Sequence, residues 1–137
     1  MLTLGTSRNS RANTDPASPW VVVNKQHPLD PLDYTPAALV TVGGKQVSAL
    51  IADDLRAMVA AAAAQGVTLP LASAYRSYSY QVGVHDRLIR QDGLAYAESV
   101  SARPGYSEHQ TGLAIDVGSA TRPACTLCRE TARKRTR

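Results

Sequence analysis

His109 and Asp116 stand seven residues apart, an odd offset. On one straight strand, where successive side chains alternate faces, they would point to opposite sides. An imidazole and a carboxylate are both good zinc ligands, so a shared ion demands a turn between them. Gly112 lies between them and can supply it, because glycine adopts left-handed backbone without steric cost. After it, Leu113, Ile115 and Val117 alternate with Ala114, Asp116 and Gly118. That is the period of a half-buried strand, with Asp116 turned from the apolar face. Taken alone, such a pair is more often a loop histidine and a strand-end turn residue.

The rest of the chain alternates helical and strand-like patterns. In residues 46–65 the apolar positions Val47, Leu50, Ile51, Leu55, Met58, Val59 and Ala62 recur at three-and-four spacing, which predicts an amphipathic helix stopped by Gly66. The alanines 60–64 raise its helix propensity and permit close approach of a neighbouring element. Residues 67–74 read as a buried strand, with Tyr75, Arg76 and Ser77 at its end. Residues 78–91 read as a second helix broken by Gly93, and residues 94–100 as a further helical turn or two before the Arg103-Pro104-Gly105 loop. Val21 to Val23 suggest a short strand, and Pro28, Pro31 and Pro36 an extended surface segment. Residues 1–19 are polar, carry Pro16 and Pro19 and read as a flexible leader, so a single domain is expected to begin near Trp20.

Charge excludes one class of partner for the body of the chain. Of the net +4, residues 122–137 hold six basic groups against Glu130, leaving 9 basic and 10 acidic groups in residues 1–121. A nucleic-acid interface on the folded domain has no support, and the basic run reads as a solvated tail. Cys125 and Cys128 form a lone C-x-x-C in that tail, with no second pair to close a four-cysteine zinc site. No apolar run approaches the roughly 20 residues of a membrane span. The first twenty residues lack the apolar segment of about 7 to 15 residues that marks a secretory signal.

Four segments together carry a family resemblance. Ser107-Glu108-His109-Gln110-Thr111-Gly112-Leu113-Ala114-Ile115-Asp116 resembles the zinc signature of the VanY-like D-alanyl-D-alanine carboxypeptidases, the LAS group of metallopeptidases. Asn24-Lys25-Gln26-His27-Pro28-Leu29, followed by Tyr34-Thr35-Pro36, is similar to the family's opening segment. Ala74-Tyr75-Arg76-Ser77 with Gln81 is similar to its substrate-binding turn. Arg103-Pro104-Gly105-Tyr106 leads into the zinc motif as it does there.

The resemblance implies an α+β fold, helices on a small antiparallel sheet, with a LAS/hedgehog-like core over residues 20–118. It implies hydrolysis of the terminal D-Ala-D-Ala bond of peptidoglycan stem peptides in the cell envelope, with His109 and Asp116 as zinc ligands. Arg76 would grip the substrate carboxylate through its planar fork, and Ser107, Tyr75 and Gln81 would make lesser substrate contacts. His27 and His85 match no ligand position and are expected to be exposed or capping.

The family's later Glu-x-x-Trp-His segment, source of a third ligand and the catalytic carboxylate, is missing. Residues 119–137 hold no histidine and Glu130 as their one acid. The expectation is therefore a core incomplete at its C-terminus, with a tail from a shifted reading frame and activity in doubt. A second reading is a catalytically dead module that binds the same stem peptides.

Overall fold

The structure, a computed structural model, describes residues 14–118. The basic run, both cysteines and most of the expected leader lie outside those residues. Strands β1 (Leu39–Val42) and β2 (Lys45–Ser48) form an antiparallel hairpin in which Val42 pairs with Lys45 and Leu39 with Ser48. Gly43 and Gly44 turn it, both at positive φ (54° and 77°), the two-residue geometry that matches strand twist.

This hairpin corrects the helix expected over residues 46–65. Val47, taken for the start of a helical stripe, is fully buried in β2. The Ser48 hydroxyl accepts from Leu50 N and opens a single 3-10 turn, Ala49–Ile51. Helix α1 follows over Ala52–Ala64. Asp53 and Asp54 in its first turn suit the positive end of the helix dipole, and Gly66 ends the run at φ 75°. Of the expected stripe, Leu55 is buried and Ile51 and Val59 are half-buried, whereas Leu50 and Met58 are exposed.

Strand β3 (Leu71–Ser73) is shorter than the eight residues expected, and it pairs antiparallel with β4 (Asp116–Val117). The period-two reading of residues 113–118 therefore holds as a strand only at its end. Helices α2 (Tyr78–Asp92) and α3 (Leu94–Val100) fall where the sequence placed them, divided by Gly93 at φ 83°. The α2 cap is Ser77, whose hydroxyl accepts from Tyr80 N at 3.1 Å. Val21 to Val23 form no strand, and the nearest ladder contact is an isolated bridge between Asn24 and His27.

The fold of the described residues is thus α+β, three helices with two small antiparallel sheets. Val42, Val47, Ala52, Leu55 and Ala74 form the main core, with Val40, Ile51, Val59, Leu71 and Ile115 packed against it. Ala60 and Ala63 are exposed. With Val59, Leu69, Pro70 and Leu71 they line an apolar groove of about 470 Å3. Among the described residues no helix is long and apolar enough to cross a membrane.

Candidate active site

The turn that the odd His109 to Asp116 spacing requires is present. A 3-10 turn, Glu108–Thr111, ends at Gly112 in the left-handed region, φ 71°. The Thr111 hydroxyl donates to Glu108 O at 2.7 Å and accepts from Leu113 N at 3.0 Å, closing the turn on itself. Ser48 N donates to Gly112 O at 2.9 Å, so the hairpin holds the turn from below. Gln110 anchors it from the other side. Fully buried, its amide nitrogen donates to Leu32 O and Tyr34 O at 2.7 and 3.0 Å, and its carbonyl accepts from Gly105 N at 3.1 Å.

His109 then comes within 3.4 Å of Asp116, Nε2 to Oδ2. The other ring nitrogen, Nδ1, lies 2.8 Å from Ala74 O. A carbonyl only accepts, so Nδ1 carries a proton, which in the neutral form of the ring leaves the Nε2 lone pair facing Asp116. A backbone carbonyl behind the far nitrogen is the arrangement that orients a metal-binding histidine. Two ligand atoms each about 2.0 to 2.1 Å from a tetrahedral zinc sit about 3.3 Å apart, which the observed separation matches. The donor set therefore fits zinc as far as it goes. Among the described residues no group of three or more His, Cys, Asp or Glu side chains converges.

Arg76 joins this pair. Its backbone N–H donates to His109 O at 3.1 Å, and its Nη2 lies 3.6 Å from Asp116 Oδ2. Nε and Nη2 both donate to the Ser73 hydroxyl, at 3.0 and 2.8 Å. One edge of the fork, Nε and Nη2, is thus held by the protein, while Nη1 takes no hydrogen bond among the described residues. The sequence reading passed over Ser73, and over the carbonyl of Ala74. Ser73 pairs with Asp116 across β3 and β4, a register no local pattern announces.

Arg76, Gln81, Ser107 and His109 line one cleft of about 350 Å3, together with Asn24, Lys25, Tyr106 and Glu108. Gln81 is buried, its amide nitrogen committed to Ser101 Oγ and Ala102 O, while Oε1 has no partner. Ser107 is buried, and its hydroxyl does not cap the turn it precedes. Tyr75 is not among the lining residues. It is half-buried, with its N–H on Gln46 O at 3.0 Å. His27 is exposed and closes a turn with Asn24. His85 departs from expectation: it is buried on α2 with Nε2 unpartnered, because it lies one helical turn after Gln81 on the face that packs inward.

Comparison with known proteins decides the lineage. The family model described as D-alanyl-D-alanine carboxypeptidase, VanY, matches residues 44–137. The chain belongs to the VanY family. The putative carboxypeptidase YodJ of Bacillus subtilis strain 168 is 36% identical over 115 residues, covering 77% of this chain and 42% of that protein. The LdcB LD-carboxypeptidase superposes with a TM-score of 0.71 at 35% identity, covering 77% of this chain and 54% of that one. VanYB, solved with D-alanine-D-alanine, gives 0.63 at 30%, covering 83% and 66%. The E175A mutant of the pentapeptidase VanY from a VanB-type cassette, solved with Zn(II), gives 0.62 at 29%, covering 76% and 63%. The chain spans less than half the length of the curated relatives it matches.

Proposed function

We propose that this chain carries the zinc-holding pair and the carboxylate grip of a D-alanyl-D-alanine carboxypeptidase acting on peptidoglycan stem peptides in the cell envelope. The observation that carries this reading is the meeting of His109 and Arg76 at one carboxylate oxygen, Asp116 Oδ2, with Nε2 at 3.4 Å and Nη2 at 3.6 Å. His109 and Asp116 would hold the ion, which when bound supplies a water of lowered pKa and polarises the scissile carbonyl.

The protein's own groups would do the rest. Nη1 and Nη2 of Arg76 receive the C-terminal carboxylate, for which the planar fork is matched. Ser73 keeps that fork from rotating away. Gln81, its amide nitrogen committed to Ser101 and Ala102 and its Oε1 closed to solvent, would support the cleft wall. The Ser107 hydroxyl offers a further hydrogen bond from the cleft wall. The relative solved with D-alanine-D-alanine supports the substrate class, and the one solved with Zn(II) supports the metal.

A second reading, a module that binds the same peptides without cutting them, draws on the cleft residues that need no metal: Arg76, Gln81 and Ser107. One experiment separates the two. The zinc-loaded full chain is mixed with an acyl-D-Ala-D-Ala peptide, and both binding and D-alanine release are followed. Release that stops on chelation supports the peptidase, binding without release supports the module, and no binding contradicts both.

A further inference from the structure

A small cavity of about 100 Å3, walled by Lys25, Glu98, Ser101, Arg103 and Tyr106, adjoins the cleft. Lys25, Ser101 and Tyr106 line both spaces. Its charges are unevenly matched. Arg103 reaches Glu98 Oε1 with Nε at 2.7 Å and Nη2 at 2.5 Å, so those two side chains neutralise each other. Lys25 donates instead to the backbone carbonyl of Glu98, which has no formal charge. Among the described residues the Lys25 ammonium is therefore the uncompensated charge of the cavity, with two further N–H groups to give. No hydrogen bond occupies the Tyr106 hydroxyl among the described residues. The acid on the cleft wall, Glu108, belongs to the turn that bears His109 and does not line the side cavity.

We propose that Lys25, at the seam of the cleft and this cavity, reads a second carboxylate of the substrate, one carried upstream of the bond that is cut. The inference rests on reading the cleft as a stem-peptide site. Arg76 lies in the cleft but not in the side cavity and takes the C-terminal carboxylate, so an anion reaching Lys25 is a different one. In a stem peptide two groups have that chemistry: the free α-carboxylate of a γ-linked glutamate, and a side-chain carboxylate on the diamino acid that follows it. The ammonium and the Tyr106 hydroxyl both suit a carboxylate oxygen, and a neutral amide at the same place would leave the charge unmatched.

The test titrates acyl-peptides ending in D-Ala-D-Ala into the full chain by calorimetry. Pairs differ only in whether one upstream carboxylate, on the glutamate or on the diamino acid, is free or amidated. In the wild type one free acid is expected to bind about fivefold more tightly than its amide, the strength of a partly screened ion pair. The pair that shows the preference identifies the source. Lys25→Met should abolish the preference, and Lys25→Arg should keep it. Equal binding of acid and amide at both positions, or a preference that survives Lys25→Met, overturns the proposal while leaving the peptide site intact. Failure of every peptide to bind overturns this proposal and the reading it rests on.

Discussion

His109 and Asp116 meet at 3.4 Å, Nε2 to Oδ2, because Gly112 turns the chain between them with φ 71°. A Cβ at position 112 would lie 2.9 Å from Ser48 N and 3.3 Å from Ser48 Cβ. Side chain and turn are incompatible on two counts, the backbone conformation and the clash with β2. Gly112→Ala is expected to destabilise the protein by at least about 2 kcal/mol, read as a lowered urea midpoint. A wild-type midpoint would show that the turn is not held as described.

Gln110 is a structural centre in the guise of a motif residue. Its side chain satisfies three backbone groups, those of Leu32, Tyr34 and Gly105, in a site closed to solvent. Gln110→Ala leaves those groups without partners and should cost about 3 kcal/mol. Gln110→Glu should cost as much, since a carboxylate cannot donate to two carbonyls. Denaturant unfolding measures both.

Arg76 and Ser73 should separate binding from positioning. Arg76→Ala is expected to weaken binding of a D-Ala-D-Ala peptide about thirtyfold, near 2 kcal/mol. Ser73→Ala, which frees the guanidinium to rotate, should cost about fivefold, near 1 kcal/mol. The two losses should not add in the double variant, because Ser73 acts through Arg76. Additive losses in a calorimetric cycle would contradict that dependence.

Much of the candidate site's geometry was legible in the sequence. His109, Asp116 and Arg76 sit in motifs whose residues are contiguous or separated by one turn, and Gly112 announced that turn. The supporting contacts were not legible, because they come from chain neighbours far away in sequence. Ala74 O behind His109 spans 35 residues, and the Gln110 contacts to Leu32 and Tyr34 span 78 and 76. The largest misreading, the helix begun at Gln46, arose because Val47, Leu50 and Ile51 fit a helical stripe by spacing. The Gly43-Gly44 pair was the better signal, since two adjacent residues at positive φ make a hairpin and force Val47 into a strand.

Tyr34 gives an alkaline signature. Burial, and then the nearby Asp15 carboxylate, raise its phenol above the ordinary value of 10.0. The folded state therefore holds the proton more tightly than the unfolded one. Stability is unaffected below the unfolded pKa of about 10 and falls as the pH rises past it. Tyr34→Phe should remove that part of the alkaline loss, and Asp15→Asn should lower the Tyr34 phenolate midpoint in difference absorbance.

His109 and Asp116 are proposed to hold zinc beside Arg76. Calorimetric zinc titration tests this most directly, with Cys125 and Cys128 changed to serine so that the C-x-x-C pair cannot bind the ion. Saturable zinc binding should survive the serine changes and fall at least about tenfold in His109→Ala, since loss of a metal ligand costs at least as much as the tenfold or greater effect of losing a supporting contact. Zinc binding that disappears with the cysteines, or that is unchanged in His109→Ala, would contradict the proposal.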